Sequence, residues 1–317
     1  MLIEPTFDVV VAGRRQAAPD VVELTLRDAA GGSLPPWSPG AHIDVVLGDR
    51  LVRQYSLVAD PDDRDEWRIA VLREPDGRGG STRIHALANE GATLRVRGPR
   101  NHFSLEDAPR LRFIAGGIGI APILPMVDAA ERAGRDWSLL YLGRSRDRMA
   151  YLDRLAPYVE HVTVHPTGEL GSVEVRDVVG APDDDTLVYA CGPGRLLDAL
   201  EAAARAWPAG ALRVERFTGV TADTSGDEAF TVEFVLSGVR AEVPPDRSIL
   251  AVAAELGLPV SFNCTEGTCG TCETGVVEGR IEHRDVLLTP KERAANTTMM
   301  ICCSRAERGC PLLVLEM

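Results

Sequence analysis

The chain has 317 residues, of which 45% are hydrophobic and 26% are charged. This composition is typical of globular proteins and excludes disordered and collagen-like chains. Acidic residues outnumber basic ones by 47 to 34, which gives a formal net charge of -13. Because that sign opposes contact with phosphate backbones and anionic lipid, we expect neither nucleic acid nor a membrane as a partner. The length predicts two or three domains.

The N-terminal residues lack the basic and apolar regions of a secretory signal. The most apolar window, Phe113 to Val127, is broken by glycines and prolines and is shorter than the roughly 20 residues of a membrane helix. We therefore expect a cytoplasmic protein, and a monomer. Seven cysteines in such a chain indicate metal or redox chemistry more than a disulfide framework.

The first hundred residues contain short alternating or β-branched runs separated by Gly, Pro and Asp. This pattern predicts an antiparallel β-barrel or sandwich. The predicted strands are Phe7–Ala12, Val21–Leu26, His42–Leu47, Tyr55–Val58, Trp67–Arg73 and Thr93–Arg97, with one helix over Thr82–Ala88.

From Leu111 onwards, apolar strands alternate with amphipathic helices, which predicts a parallel α/β sheet. The strands are predicted at 111–117, 137–143, 161–165 and 186–192, and the helices at 123–133, 149–155 and 194–206.

A small, polar stretch at 218–228 predicts a linker. Beyond it we predict a strand pair at 230–238 and 240–245, a helix over Ser248–Leu256, and closing strands near Ile301 and Leu312–Leu315. The predicted domains are therefore 1–108, 109–218 and 229–317, with the linker at 219–228.

The most specific motif is Cys264-x4-Cys269-x2-Cys272, followed by a distant pair of adjacent cysteines, Cys302 and Cys303. This spacing is that of plant-type ferredoxins, which hold a 2Fe-2S cluster with four thiolates. Structural zinc usually takes its cysteines as two short pairs, so zinc is the weaker alternative. The chemistry alone does not choose the fourth ligand between the two adjacent cysteines.

A glycine-rich turn, AGGIGIAP at 115–122, joins a predicted strand to a helix, and CGPG follows a later strand at 191–194. Both turns lie at the carboxyl ends of parallel strands, where such sheets bind dinucleotides. Either turn alone is weak evidence, since the first ends in Pro122 where the fingerprint has a third glycine. The predicted nucleotide-binding residues in these turns are Gly116, Gly117, Gly119, Ala121, Pro122, Cys191, Gly192 and Pro193.

The predicted β domain contains RQYS at 53–56, and GRGGST at 77–82 opens its short helix. Arginine, hydroxyl groups and a helix N-terminus are suited to a terminal phosphate. A nicotinamide delivers two electrons as a hydride, whereas a 2Fe-2S cluster accepts one at a time. A chain with both sites therefore needs a flavin between them, because a flavin passes electrons on singly.

Taken together, the motifs RQYS, IAVLREPDGRGGSTR, PRNHFSL, AGGIGIAP, YACGP, ERF, CTEGTCGTCETGVVEGRIEHRD and MMICCSRA closely resemble the phthalate dioxygenase reductase and vanillate demethylase reductase family. The resemblance covers nearly the whole chain. It implies an antiparallel flavin barrel, an α/β NAD domain and a β-grasp ferredoxin domain. It also implies an NADH-dependent oxidoreductase that passes electrons through FMN and a 2Fe-2S cluster to a separate terminal oxygenase.

The resemblance also implies residue roles. Cys302 would be the fourth cluster ligand beside Cys264, Cys269 and Cys272. Arg144 and Ser145 would line the nucleotide, and NADH is favoured, although an arginine at that strand end also suits a 2′-phosphate. The implied FMN contacts are Arg53, Gln54, Tyr55, Ser56, Ala70, Val71, Leu72, Gly79, Gly80, Ser81, Thr82 and, near the ring, Phe217.

The chain departs from the family pattern at three places. Ala121 replaces the usual Thr, Arg213 and Val214 replace His-Phe, and Cys303 stands where Val is usual. These changes concern the flavin edge and the surroundings of the cluster.

The resemblance favours a Rieske non-haem iron dioxygenase or O-demethylase as the partner. A haem-thiolate monooxygenase is the alternative partner, and a non-catalytic redox sensor or interaction module is the alternative of a different class. From Glu228 the chain has 13 acidic and 8 basic residues, so its face is expected to meet a basic patch.

Overall fold

The computed structural model describes residues 6–48, 51–219 and 222–317. The chain forms two compact units, one ending at Glu215 and one beginning at Arg216. The first unit contains two separate sheets. The four predicted segment boundaries remain predictions.

The first sheet is antiparallel, with strand order β4-β3-β6-β1-β2-β5. A bridge between Leu57 and Ile69 joins its two ends. Inward-facing side chains such as Leu24, Ile43 and Trp67 are fully buried. The elements are β1 (Thr6–Ala18), β2 (Val21–Asp28), β3 (His42–Gly48), β4 (Leu51–Ser56), β5 (Trp67–Leu72), α1 (Gly80–Leu87) and β6 (Thr93–Arg100).

Several of the sequence-based bounds in this sheet are wrong, and strand β1, for example, extends to Ala18 instead of ending at Ala12. Strand β4 lies over Leu51–Ser56 rather than Tyr55–Val58. The charged and polar side chains of this strand hide its alternation, and Gln54 and Ser56 lie opposite the buried polar residues Asp44 and His42 of β3. Helix α1 begins at Gly80, two residues before the predicted start.

The second sheet is parallel, with strand order β11-β10-β7-β8-β9. Its elements are β7 (Arg110–Gly116), α2 (Ile120–Arg132), β8 (Asp136–Gly143), α3 (Leu152–Leu155), β9 (Val162–Pro166), α4 (Thr167–Leu170), α5 (Val175–Val179), β10 (Thr186–Cys191), α6 (Gly194–Ala203) and β11 (Leu212–Glu215).

The predicted helix over 149–155 is mostly absent. Met149, Ala150 and Tyr151 are all at most 3% exposed, and three consecutive buried side chains do not fit one face of a helix. Tyr151 has a positive φ of 64°, and only α3 follows it. Helix α2 begins three residues earlier than predicted. Pro122 is tolerated in its first turn, because the amides there have no intrahelical acceptor and the missing N–H of proline costs no helical hydrogen bond.

The two sheets of the first unit share a core. The ring of Phe103, which follows β6, lies 5.4 Å from that of Tyr189 on β10 in an edge-to-face contact. Arg154 donates to the carbonyl of Val58 at 2.5 Å and to the carboxylate of Asp128 at 2.5 Å. These contacts fix the barrel against the parallel sheet.

The second unit is built on a mixed sheet of order β13-β12-β18-β14-β16, in which β12 and β18 are parallel. This arrangement is that of the predicted β-grasp domain. Its elements are β12 (Phe230–Phe234), β13 (Val239–Val243), α7 (Ile249–Glu255), β14 (Glu273–Glu278), β15 (Ile281–Glu282), α8 (Pro290–Ala295), β16 (Thr298–Met300), β17 (Arg305–Ala306) and β18 (Leu312–Leu315).

Within residues 6–48, 51–219 and 222–317, every helix is too short or too polar to cross a membrane.

Candidate functional site

Arg53 and the start of α1 lie against each other in the first unit. A Cβ on Gly80 would lie 2.6 Å from Nε of Arg53, so the glycine allows the helix start to lie close to this side chain. The Arg53 guanidinium donates to the carbonyls of Val52 at 2.8 Å and Arg78 at 3.1 Å. It is thereby held beside the first turn of α1.

The N-terminus of α1 is suited to an anion. Gly79 precedes the helix with a φ of 78° and provides no side-chain cap, so the first amides keep their hydrogen-bonding capacity. The hydroxyls of the first turn already have local partners. Thr82 Oγ1 donates to the Gly79 carbonyl at 2.9 Å, and Ser81 Oγ accepts from the Glu74 amide at 3.0 Å. The residues present therefore fit a phosphate held by backbone amides and Arg53.

The other predicted flavin contacts lie on β4 and β5. Tyr55 is half-buried, and burial raises the pKa of its phenol. Ser56 is buried, and the Gln54 side-chain nitrogen lies 2.9 Å from His42 Nε2. On β5, Ala70 and Val71 are buried and Leu72 is half-buried.

The two predicted nucleotide turns meet at the carboxyl edge of the parallel sheet, because β7 and β10 are neighbours. A Cβ on Gly116 would lie 2.7 Å from Pro193 Cδ, and one on Gly192 would lie 3.0 Å from Gly116 Cα. A Cβ on Gly119 would overlap the carbonyl of Cys191. These glycines are needed so that the turns can pack on each other.

Gly117 differs from the other glycines of its turn. Its φ is +57°, and nothing lies within 4 Å of the position that its Cβ would take. Its backbone is therefore open to a ligand. The side chains of Ala121 and Pro122 are buried in the first turn of α2, so they support this turn from behind.

Glu215 is a residue of this edge that the sequence analysis did not assign. It lies opposite Cys191 in the register of β10 and β11. Its Oε2 atom is buried without a hydrogen-bond partner in the described chain, and burial raises its pKa to about 8. Burial also raises the pKa of the Cys191 thiol, and Glu215 adds to this effect. The sequence signal that could have pointed to it is the ERF motif, of which it is the first residue.

The loop after β8 contains the predicted residues Arg144 and Ser145. Arg144 is exposed, and its carbonyl accepts from the Gly168 amide at 2.8 Å. A hydrogen bond from the Ser145 side chain lowers the pKa of Asp147. The loop therefore contains a carboxylate as well as arginines at the position where a dinucleotide ribose binds in such sheets.

In the second unit, the thiols of the four predicted ligands form two pairs. The Cys264 thiol raises the pKa of Cys269 and the Cys302 thiol raises that of Cys272, so each pair lies close together, and Cys302 also lies beside Cys303. Within the described ranges, no three Cys, His, Asp or Glu side chains are grouped as for one metal ion. Two thiol pairs fit a cluster with two irons, each of which takes two cysteines.

Backbone amides surround the first ligand. The amides of Glu266 and Thr268 donate to Cys264 Sγ at 3.4 and 3.3 Å. Such hydrogen bonds stabilise a thiolate and help to set the potential of a cluster. Cys303 lies beside this loop, because a Cβ on Gly267 would be 2.6 Å from its Sγ. The donor set therefore fits a 2Fe-2S cluster with one further thiol close by.

The described part of the predicted linker lies on the second unit. Asp227 is paired with Arg284 and lies 3.4 Å from Arg305 Nε, and all three side chains are at most 8% exposed. The Gly226 carbonyl accepts from Arg308 at 3.0 Å. Phe217 is 45% exposed in this unit, and its expected position beside a flavin stays a prediction. Positions 220 and 221 of the predicted linker lie outside the described residues.

Comparison with known proteins agrees with this architecture. Residues 234–307 match the family model of the 2Fe-2S iron-sulfur cluster binding domain. Over 98% of its length, the chain is 39% identical to a vanillate O-demethylase oxidoreductase of Pseudomonas putida, which is covered completely.

Solved structures are also similar over 98% of this chain. Phthalate dioxygenase reductase has a TM-score of 0.70 and 33% identity, with 98% of that chain covered. An intact type IV self-sufficient cytochrome P450 monooxygenase has a TM-score of 0.93 and 45% identity, but this chain spans only 41% of it.

The fold and the cysteine site define an iron–sulfur oxidoreductase with three kinds of domain. The chain belongs to the phthalate dioxygenase reductase and vanillate demethylase reductase family. The fold class and the 2Fe-2S domain predicted from the sequence are thus confirmed.

Proposed function

We propose that this chain is the reductase component of an oxygenase system, which takes electrons from NADH and delivers them through FMN and a 2Fe-2S cluster to a separate terminal oxygenase. The observation that carries this proposal is the end-to-end match with a separate oxidoreductase, 98% of this chain against 100% of the relative. When bound, the flavin accepts a hydride and gives up electrons singly, and the cluster carries one electron at a time.

The residues of the chain have distinct tasks in this proposal. Arg53 and the amides of α1 hold the FMN phosphate, while the open backbone at Gly117 receives the dinucleotide pyrophosphate. The amides of Glu266 and Thr268 stabilise the thiolate of Cys264 in the cluster. The start of α1 and Arg53 form a site for a terminal phosphate. Among the described residues we assign no aromatic side chain to stack on an adenine, so FMN is favoured over FAD.

NADH is the proposed donor. The carboxylate of Asp147, whose pKa is lowered by Ser145, repels a 2′-phosphate and suits the 2′-hydroxyl of NADH. Arg144 lies in the same loop and is available to the ribose.

Substitution at a cluster ligand tests the electron route. Cys269→Ser should abolish the visible and EPR signals of the cluster and the reduction of an iron–sulfur-dependent acceptor, while NADH-to-dye transfer continues. Cys310→Ser is the control, because Cys310 lies outside the ligand pattern. If Cys269→Ser also stopped dye reduction while the flavin stayed bound, the proposed order of carriers would be wrong.

The partner is proposed to be a Rieske non-haem iron oxygenase, by analogy with the vanillate O-demethylase relative. A haem-thiolate monooxygenase is the second candidate, since the chain is 45% identical to part of a self-sufficient monooxygenase of that type. Stopped-flow reduction of a Rieske oxygenase component and of an isolated haem domain, each with NADH and this chain, distinguishes them. Faster reduction of the Rieske centre supports the first candidate, and faster reduction of the haem supports the second.

A further inference from the structure

A buried histidine and carboxylate lie beside the cluster-binding loop and have no task in the proposed electron route. The side chain of His283 is 7% exposed, that of Asp285 is 0% exposed, and His283 Nδ1 lies 3.6 Å from Asp285 Oδ1. Both imidazole nitrogens and this carboxylate oxygen lack a hydrogen-bond partner in the described chain. Buried polar atoms are nearly always satisfied, so three such atoms in one place need an explanation.

Asp285 is held rigidly. Its Oδ2 accepts from the amides of Leu287 at 3.1 Å and Leu288 at 2.8 Å, which leaves Oδ1 directed towards the imidazole. A small movement of His283 would close the 3.6 Å gap to the length of a charge-assisted hydrogen bond. Asp285 is therefore positioned to stabilise the protonated form of His283.

The pair is linked directly to the loop that holds the first two cluster ligands. Gly267, between Cys264 and Cys269, accepts a hydrogen bond from the Val286 amide at 3.1 Å. A Cβ on Gly267 would lie only 2.8 Å from Asp285 Cα. An added negative charge at the cluster is thus close to the pair in a poorly screened interior.

We propose that His283 is the group that couples a proton to reduction of the 2Fe-2S centre. The imidazole binds one proton from solvent when the centre gains one electron, and it releases that proton when the electron leaves for the oxygenase. The electron comes from NADH by the proposed route, so this inference rests on the proposed function.

The surrounding charges agree with this role. Burial lowers the pKa of His283 and Asp285 raises it, while Arg293 acts in both directions, because its charge lowers the pKa and its backbone raises it. The neighbouring Arg284 is bonded to Asp227 and Glu282. Burial thus favours the neutral imidazole, and additional negative charge at the cluster would favour the imidazolium.

Few other groups could bind this proton, because His283 is the only histidine in residues 216–317. Histidine is the side chain that ordinarily titrates between pH 5 and 8. The other candidate is the thiol of Cys303, which lies on the same side of Gly267 as Asp285, and the variant Cys303→Val tests it.

The test is a potentiometric titration of the 2Fe-2S EPR signal in the full-length holoprotein between pH 5 and 9. At a fixed potential, the ratio of reduced to oxidised centre should fall as the pH rises, by up to about tenfold per pH unit, or about 59 mV for one electron. In His283→Gln this dependence should be absent. In Asp285→Asn it should move to lower pH, because the imidazolium loses its carboxylate.

Two variants serve as controls. His161→Gln removes a histidine that is stacked on Trp137 in the first unit, and it should behave as the wild type. Cys303→Val should also keep the pH dependence. A ratio that does not change with pH in the wild type would overturn the proposal, as would an unchanged dependence in His283→Gln. A holoprotein without any reduced 2Fe-2S signal would instead overturn the proposed function, which is a different failure.

Discussion

Gly119 and Cys191 lie so close together that the Cys191 carbonyl overlaps the position a Cβ of Gly119 would take. The contact joins the turn after β7 to the turn after β10, the two segments assigned to the dinucleotide. The glycine is thus required by the packing of one turn on the other, and the nucleotide site depends on this packing.

Gly119→Ala should therefore separate the two turns. We expect at least a tenfold rise in KM for NADH and a lower melting temperature, because a backbone carbonyl cannot move away as a flexible side chain can. Steady-state dye reduction and thermal unfolding measure both effects.

Gly134→Ala, in the turn after α2 and outside both nucleotide turns, is the matched control for this change. Its added Cβ meets nothing within 4 Å, so it should cost only about 1 kcal/mol of backbone strain at its positive φ. Equal damage from both variants would contradict the packing explanation.

Asp147→Ser should weaken the preference for NADH. Removing the carboxylate from the loop that contains Arg144 removes the repulsion of a 2′-phosphate, so the ratio of kcat/KM for NADPH to that for NADH should rise by about tenfold. Asp184→Ser, an exposed change before β10, should leave the ratio unaltered. An unchanged ratio in Asp147→Ser would show that this carboxylate does not set the preference for NADH.

Glu215 makes the stability of the first unit depend on pH. Its pKa is about 8 in the folded chain and about 4.3 when unfolded. Between these values the folded state keeps a proton that the unfolded state has lost, so the free energy of unfolding falls as the pH rises. Glu215→Gln should flatten the melting temperature between pH 5 and 8, whereas the exposed Glu160→Gln should not. The same slope in both variants would argue against a buried, protonated Glu215.

Asp227 anchors the end of the linker to the second unit. Asp227→Asn leaves Arg284 and Arg305 buried without their carboxylate and should destabilise this unit by about 3 kcal/mol. Urea unfolding followed by cluster absorbance measures the loss.

The pH dependence of this anchor has a defined sign. The pKa of Asp227 is lowered by its hydrogen bond to Arg284, so its contribution is present at neutral pH and is lost as the pH falls through that lowered value. Asp223→Asn, which lies near the same segment, should have little effect at pH 7. Similar losses in both variants would mean that the buried pairs are not what anchors the linker.

The two adjacent cysteines should differ in function. Cys302→Ser should lose the cluster, measured as iron per chain, because Cys302 is paired with Cys272. Cys303→Val restores the usual family residue and should retain a full iron content. The opposite result would make Cys303 the fourth ligand.

Much of this architecture was predictable from local patterns. Alternation of apolar and polar residues predicted the barrel, and the cysteine spacing predicted the cluster domain, because both patterns depend on residues that are close in sequence. The capping box of Thr289 and Glu292 was also readable, and it marks a helix, α8, that the sequence analysis missed.

Other features depend on distant partners. Nothing near Asp227 in the sequence shows that it pairs with Arg284, 57 residues later, so a segment that resembles a free linker is partly fixed. The non-helical backbone at Met149 to Tyr151 follows from burial on all sides, which is a property of the tertiary fold. The environment of His283 likewise requires the contact between the loops at Gly267 and Asp285.

The central claim is that one chain carries electrons from NADH through FMN to a 2Fe-2S cluster. The most direct test is an anaerobic visible titration of the purified holoprotein with NADH, together with identification of the released flavin. The account predicts flavin bands with an overlying iron–sulfur envelope, bleaching of both by NADH, and release of FMN. A colourless zinc protein, or a flavin and cluster that NADH does not reduce, would contradict it.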